Sequence, residues 1–150
     1  MVSFNALTDA RLAPYGALAL RVSLGLVFVA HALLKLFVFT LPGTAAWFAA
    51  QGFPSWTAYP VFAAELAGGT LLLAGYRSQV VALALVPVML GALKVHAPNG
   101  WAFTAPGGGW EYPLLLTALL VIHALLGPGA LAFVPTLALD RRTPSARTPG

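Results

Sequence analysis

The chain contains no cysteine. That excludes disulfides, thiolate catalysis, iron–sulfur ligation and thioether-linked haem, so any redox chemistry near this protein takes no thiol from it. Charge is scarce as well. Asp, Glu, Lys and Arg make up 8% of the 150 residues, against about 25% in an ordinary soluble domain. There is no flavin or nicotinamide fingerprint and no haem attachment motif. A cleavable secretory signal is not expected either, because the first apolar run is too long and carries Arg21, His31 and Lys35.

What the chain does have is apolar side chain, at 59% of residues. A soluble core of this size cannot hide so much, and lipid is the better solvent for it. The formal net charge of +4 does not point to nucleic acid. The basic residues are few and scattered, and no aromatic platform lies on a polar sheet.

Four apolar runs are each long enough to cross a hydrocarbon core of ~30 Å. They cover residues 15–39, 56–76, 79–96 and 111–126. The predicted fold is an all-α, antiparallel bundle of four transmembrane helices in one domain. Only Tyr76-Arg77-Ser78 separates the second run from the third, which forces a hairpin. Gly75, Gly127, Pro98 and Pro128 are the predicted helix stops, and Pro87 predicts a kink within the third helix. The stretches 40–55 and 97–110 read as uncharged loops rich in Pro and Gly. Residues 1–14 form an N-terminal cytoplasmic segment, 15–130 the membrane domain, and 131–150 a surface or disordered tail. Arg11, Arg77, Arg141, Arg142 and Arg147 fall on one side if the helices alternate. The positive-inside rule then places both termini in the cytoplasm and the chain in the inner membrane. Trp47, Trp56, Trp101 and Trp110 fall at the opposite surface, as an aromatic belt would.

Depth picks out the candidate site. At about 1.5 Å per residue, His31 and Glu65 both lie roughly 12–13 Å below the outer ends of their helices. Lys35 is one turn above His31 on the same face. Lys94, His96 and Glu111 also belong to the outer half. An unpaired charge in hydrocarbon costs ~2.5–3.5 kcal/mol even on the lenient insertion scale, so Glu65 needs a partner or a proton. Lys35 and His31 are the natural partners. Gly68 and Gly69 follow Glu65 at i+3 and i+4, which lets a neighbouring helix come close. One reading is a polar pocket, lined by aromatics such as Phe28, Tyr59 and Trp110, where cationic side chains meet a carbonyl or an anion. The other is a buried pair that only fixes packing, with Lys94 and His96 as interfacial snorkels and Glu111 as a charge at a helix N-terminus. Arg21 lies in the inner half, either snorkelling to the cytoplasm or joining the polar face. His123, near the inner end of the fourth helix, reads as structural. No metal site is expected, since His31, Glu65 and His96 share no ligand spacing.

Five motifs in order resemble the DoxX family. They are Leu20-Arg21 … Gly25-Leu26-Val27-Phe28 … His31-Ala32-Leu33-Leu34-Lys35-Leu36-Phe37, then Ala64-Glu65-Leu66-Ala67-Gly68-Gly69, His96-Ala97-Pro98-Asn99-Gly100, Gly109-Trp110-Glu111-Tyr112-Pro113 and Gly127-Pro128-Gly129. The likeness covers about residues 15 to 130, with Ala32 standing where the family usually has Gly. It implies a four-helix membrane protein. Relatives are small subunits of thiosulfate- or quinol-oxidising systems, or are linked to quinone and catechol resistance. Carried over residue by residue, it favours Arg21, His31, Lys35, Glu65, His96, Asn99 and Glu111.

The expected function is therefore that of an accessory subunit of a membrane oxidoreductase, binding a quinone-like molecule with no covalent cofactor. A small proton-coupled transporter and a structural anchor for a partner are the alternatives. The expected partners are the lipid bilayer, a redox enzyme and further copies of the chain.

Overall fold

The computed structural model describes residues 11–133. Helix α1 (Ala13–Leu33) starts with a proline in its first turn, where the missing N–H is not needed. It continues through a π-helical turn, Leu34–Val38, closed by Phe39 N–H donating to the Leu34 carbonyl at 2.9 Å. Helix α2 (Leu41–Ala50) follows, then a 3₁₀ turn at Ser55–Thr57 and helix α3 (Ala58–Ala74). Gly75 ends α3 in the left-handed conformation at φ 72°. Helix α4 (Ser78–His96) contains Pro87 and runs into a 3₁₀ turn, Ala97–Asn99. Helix α5 (Glu111–Leu126) stops at Gly127.

The regular elements among the described residues are thus all helical. Three stretches are long and apolar enough to cross a membrane: Ala13–Val38, Ser55–Ala74 and Ser78–Asn99. The fourth, Glu111–Leu126, has 16 residues and would extend about 24 Å. Expected runs and observed helices agree to within two or three residues at their ends.

The stretch 40–55 is a correction. It was expected as a loop, on the strength of Leu41-Pro42-Gly43, yet it folds into α2. Thr40 caps that helix by accepting a hydrogen bond from the Gly43 N–H at 3.2 Å, and the proline sits in the first turn. Pro and Gly there start a helix instead of breaking one. The Ala, Trp and Phe residues that follow carry it to Gly52, whose φ of 81° turns the chain away.

Helix α1 packs most extensively on α3, and α5 on α4. The pair Gly68 and Gly69 does what its position suggested. A Cβ on Gly69 would come within 2.9 Å of the Gly25 carbonyl on α1, and one on Gly68 within 3.0 Å of Leu85 on α4. Adjacent glycines on α3 thus admit two different neighbours. The core gathers Leu24, Phe28, Leu72, Ala82, Leu85, Met89, Leu116 and Leu120 in the middle of the bundle. Large apolar side chains such as Leu26, Leu83, Leu90 and Leu125 face outward, half or more exposed, as lipid-facing residues do.

The start of α1 and the ends of α3 and α5 come together. Ala130 N–H donates to the Pro14 carbonyl at 2.9 Å, and Phe133 N–H to the Ala74 carbonyl at 3.3 Å. The expectations for residues 1–10 and 134–150, including three of the five topogenic arginines, lie outside the described residues.

Candidate functional site

Lys35 lies within the π-helical turn, a wide turn of the kind often found at functional sites. Its Nζ donates to both Glu65 oxygens, at 2.9 and 2.7 Å. Both side chains are largely buried, with exposures of 15% and 7%. This is the pair that the depth argument required. A bidentate contact of this kind offsets much of the cost of desolvating two charges.

His31 does not bond to Glu65. Its Nδ1 meets the Val27 carbonyl of its own helix at 2.8 Å. A carbonyl only accepts, so Nδ1 carries the proton and a neutral ring would present Nε2 as an acceptor. The ring lies against Tyr112 of α5, centroids 6.3 Å apart and planes at 24°. His31 therefore joins α1 to α5 at the level of the ion pair.

The segment 100–110 covers the end of the bundle nearest the ion pair. His96 Nδ1 and Asn99 Nδ2 both donate to the Gly108 carbonyl at 2.9 Å, and Asn99 also to the Gly107 carbonyl at 3.1 Å. Gly107 and Gly108 take φ of 81° and 77° in succession, a path that other residues rarely follow. Glu111 accepts from the Phe103 N–H at 2.8 Å, and Trp101 meets Trp110 edge-on at 4.5 Å. Lys94 sits over the Phe53 ring, 5.1 Å from its centroid, and so fastens α4 to the chain entering α3.

Between these parts lies a cavity of about 640 Å³. Its floor is Phe28, Met89 and Leu116, and its aromatic walls are Trp47, Phe48, Phe53, Phe103 and Tyr112. Lys35, Glu65, His31 and His96 are the ionisable groups that line it. Below the floor, Leu24, Leu72, Leu85 and Leu120 are at most 2% exposed and separate the cavity from the far end of the bundle.

The expected site residues therefore divide. His31, Lys35, Glu65 and His96 meet at the cavity. Asn99, Glu111 and Lys94 hold the loops that enclose it. Arg21 is elsewhere, at the opposite end, donating through Nη2 to the carbonyls of Ala130 and Leu131 at 3.3 and 3.4 Å. Of the aromatics expected at the pocket, Phe28 lines it, while Tyr59 is half exposed and Trp110 packs on Trp101. The walls that sequence reasoning missed come mostly from 40–55. Trp47 and Phe48 signalled them only if that stretch is read as a helix. Among the described residues no three His, Asp or Glu side chains converge as a metal ion would need.

The DoxX family model matches residues 16–98. A Bacillus subtilis (strain 168) protein named "Putative oxidoreductase CatD" is 34% identical over 123 residues, which is 80% of this chain and 85% of that protein. No solved structure matches the chain at a significant level.

Proposed function

Because this chain belongs to the DoxX family, we propose that it is an accessory membrane subunit of an oxidoreductase system whose outer cavity binds a quinone or quinone-like molecule. One observation carries the reading. An aromatic-walled cavity of about 640 Å³ holds a buried Lys35–Glu65 pair and two histidines at its edge. Ligand sites have this character: mostly apolar, several hundred cubic ångströms, with a few placed polar groups. A flat ring would lie among Trp47, Phe48 and Tyr112. Its carbonyl oxygen would accept the remaining N–H of Lys35, and the hydroxyl of the reduced form would donate to Nε2 of His31 or His96. The CatD name supports an oxidoreductase setting. The lack of any flavin, nicotinamide or haem motif makes the role an accessory one.

The same proposal places the membrane domain in the inner membrane as four spans, with both termini cytoplasmic and the cavity toward the outer face. The leucine layer beneath the cavity is the reason to set binding ahead of transport, since it offers no polar route through the bundle.

The test is a thermal-shift titration of the purified protein with a water-soluble quinone and its quinol, alongside Glu65→Gln. Saturable stabilisation of wild type is expected, with the half-saturating concentration raised at least tenfold by the substitution. No shift in wild type, with Glu65→Gln merely less stable, would make the ion pair a packing device and the protein an anchor.

A further inference from the structure

The inner end of the bundle holds polar groups that the outer cavity does not use. Arg21, Ser78 and His123 are 1%, 0% and 0% exposed. Arg21 Nε and Nη1, Ser78 Oγ and both nitrogens of His123 have no hydrogen-bond partner among the described residues. The three side chains come from α1, α4 and α5, whose ends other contacts bring together. A Cβ on Gly75 would overlap the Arg21 guanidinium, which puts that group against the turn leading into Ser78. Gln79 Nε2 donates to the Ala124 carbonyl at 2.8 Å, tying the neighbour of Ser78 to the neighbour of His123.

Buried polar atoms are nearly always satisfied, and a group of five without partners calls for an occupant. The character of the group says which kind. Guanidinium nitrogens only donate, and the hydroxyl and the imidazole can each add a hydrogen. A full positive charge is present with no carboxylate near it among the described residues. Glu65 and Glu111, the acidic residues within 11–133, are engaged at the opposite end by Lys35 and by the Phe103 N–H. A lipid headgroup cannot reach side chains so fully enclosed, so the occupant must be small.

We propose that Arg21, Ser78 and His123 form a binding site for a small inorganic anion of halide or nitrate size at the inner end of the bundle. The anion would neutralise the guanidinium and take the hydrogens of its unpartnered nitrogens. It would hold α1, α4 and α5 together there, as the Lys35–Glu65 pair holds α1 to α3 at the outer end. The site stands apart from the cavity and does not depend on the quinone reading.

The test uses the full chain in detergent, with melting temperature followed against chloride, bromide and nitrate. Gluconate, too large to enter, keeps ionic strength constant. The expected result is a saturable rise of several degrees with the small anions and none with gluconate. In Ser78→Ala and in His123→Ala the half-saturating concentration is expected to rise about tenfold. These two variants keep Arg21, whose removal could simply prevent folding. Bromide crystals are expected to show an anomalous peak beside Arg21. A wild-type melt indifferent to all three anions, with no such peak, would overturn the site and leave buried water there. A further protein, Asp9→Asn/Asp140→Asn, removes the two acidic residues outside 11–133; if it alone responded to the anions, the occupant would be a carboxylate of the chain itself, which also overturns the proposal. An equal response in wild type and both variants would mark a general salt effect and do the same.

Discussion

Lys35 and Glu65 show how one residue can be read from sequence alone. A carboxylate about nine residues inside an apolar helix needs a partner or a proton, and the preceding helix offers a histidine at the same depth and a lysine one turn above it. The ion pair at 2.7 Å follows from that argument. What the argument could not supply was the hydrogen bond of His31, because a histidine can satisfy one nitrogen on its own helix, as it does at the Val27 carbonyl. Breaking a buried pair from one side costs about 3–5 kcal/mol, whereas replacing both members by apolar residues is often neutral. Lys35→Met and Glu65→Gln are therefore each expected to melt well below wild type, and Lys35→Met/Glu65→Met above either single variant. Thermal denaturation in detergent checks this, and a double variant no better than the worse single one would deny that the two residues act as a pair. Gly109 gives a second expectation. A Cβ there would overlap the backbone of Trp101 and Ala102, so Gly109→Ala is expected to displace the outer loop and weaken ligand binding, as read by titration.

At the scale of elements, the long helices were legible because their apolar runs have no competing interpretation in a chain this poor in charge. Helix α2 was not. Its Pro and Gly are breakers in a helix interior and harmless in a first turn, and only the Thr40 cap distinguishes the two cases. That one element supplies Trp47 and Phe48, so missing it meant missing much of the cavity wall. Both are expected to serve the ligand more than the fold. A Trp47→Ala/Phe48→Ala protein should lose quinone binding by tenfold or more and keep a melting temperature near wild type. The α1–α3 contact makes the opposite expectation. Gly69→Ala places a methyl within 2.9 Å of the Gly25 carbonyl, while Gly16→Ala meets nothing within 4 Å. The first should be destabilised by at least about 1–3 kcal/mol, as overpacking usually is. The second should be neutral or slightly stabilised through helix propensity. Circular dichroism melts of the two compared with wild type decide it.

For the whole molecule, the same sparse charges that identify the solvent also divide the bundle. An ion pair and two histidines line the cavity at one end, a leucine layer lies beneath it, and Arg21 with His123 occupies the other end. Sequence reasoning left Arg21 either snorkelling from the inner half or joining the polar face; it does not join the cavity, and donates instead to the Ala130 and Leu131 carbonyls at the opposite end of the bundle. Four spans with cytoplasmic termini predict which side each loop faces. The absence of cysteine makes this simple to check with single substitutions. Thr104→Cys should react with an impermeant maleimide in intact cells, and Arg77→Cys only after permeabilisation. The reverse pattern would invert the orientation, and labelling of both from outside would remove a span.

A quinone bound in the cavity would be held against the side chains that line it. The most direct measurement is photoaffinity labelling of the full chain in native membranes with an azido-quinone, followed by peptide mapping. Labelling concentrated on the peptides carrying Trp47, Phe48 and Tyr112, competed away by unlabelled quinone and diminished in Glu65→Gln, is the predicted result. Labelling confined to lipid-facing residues such as Leu83 and Leu125, unaffected by competitor, would contradict it.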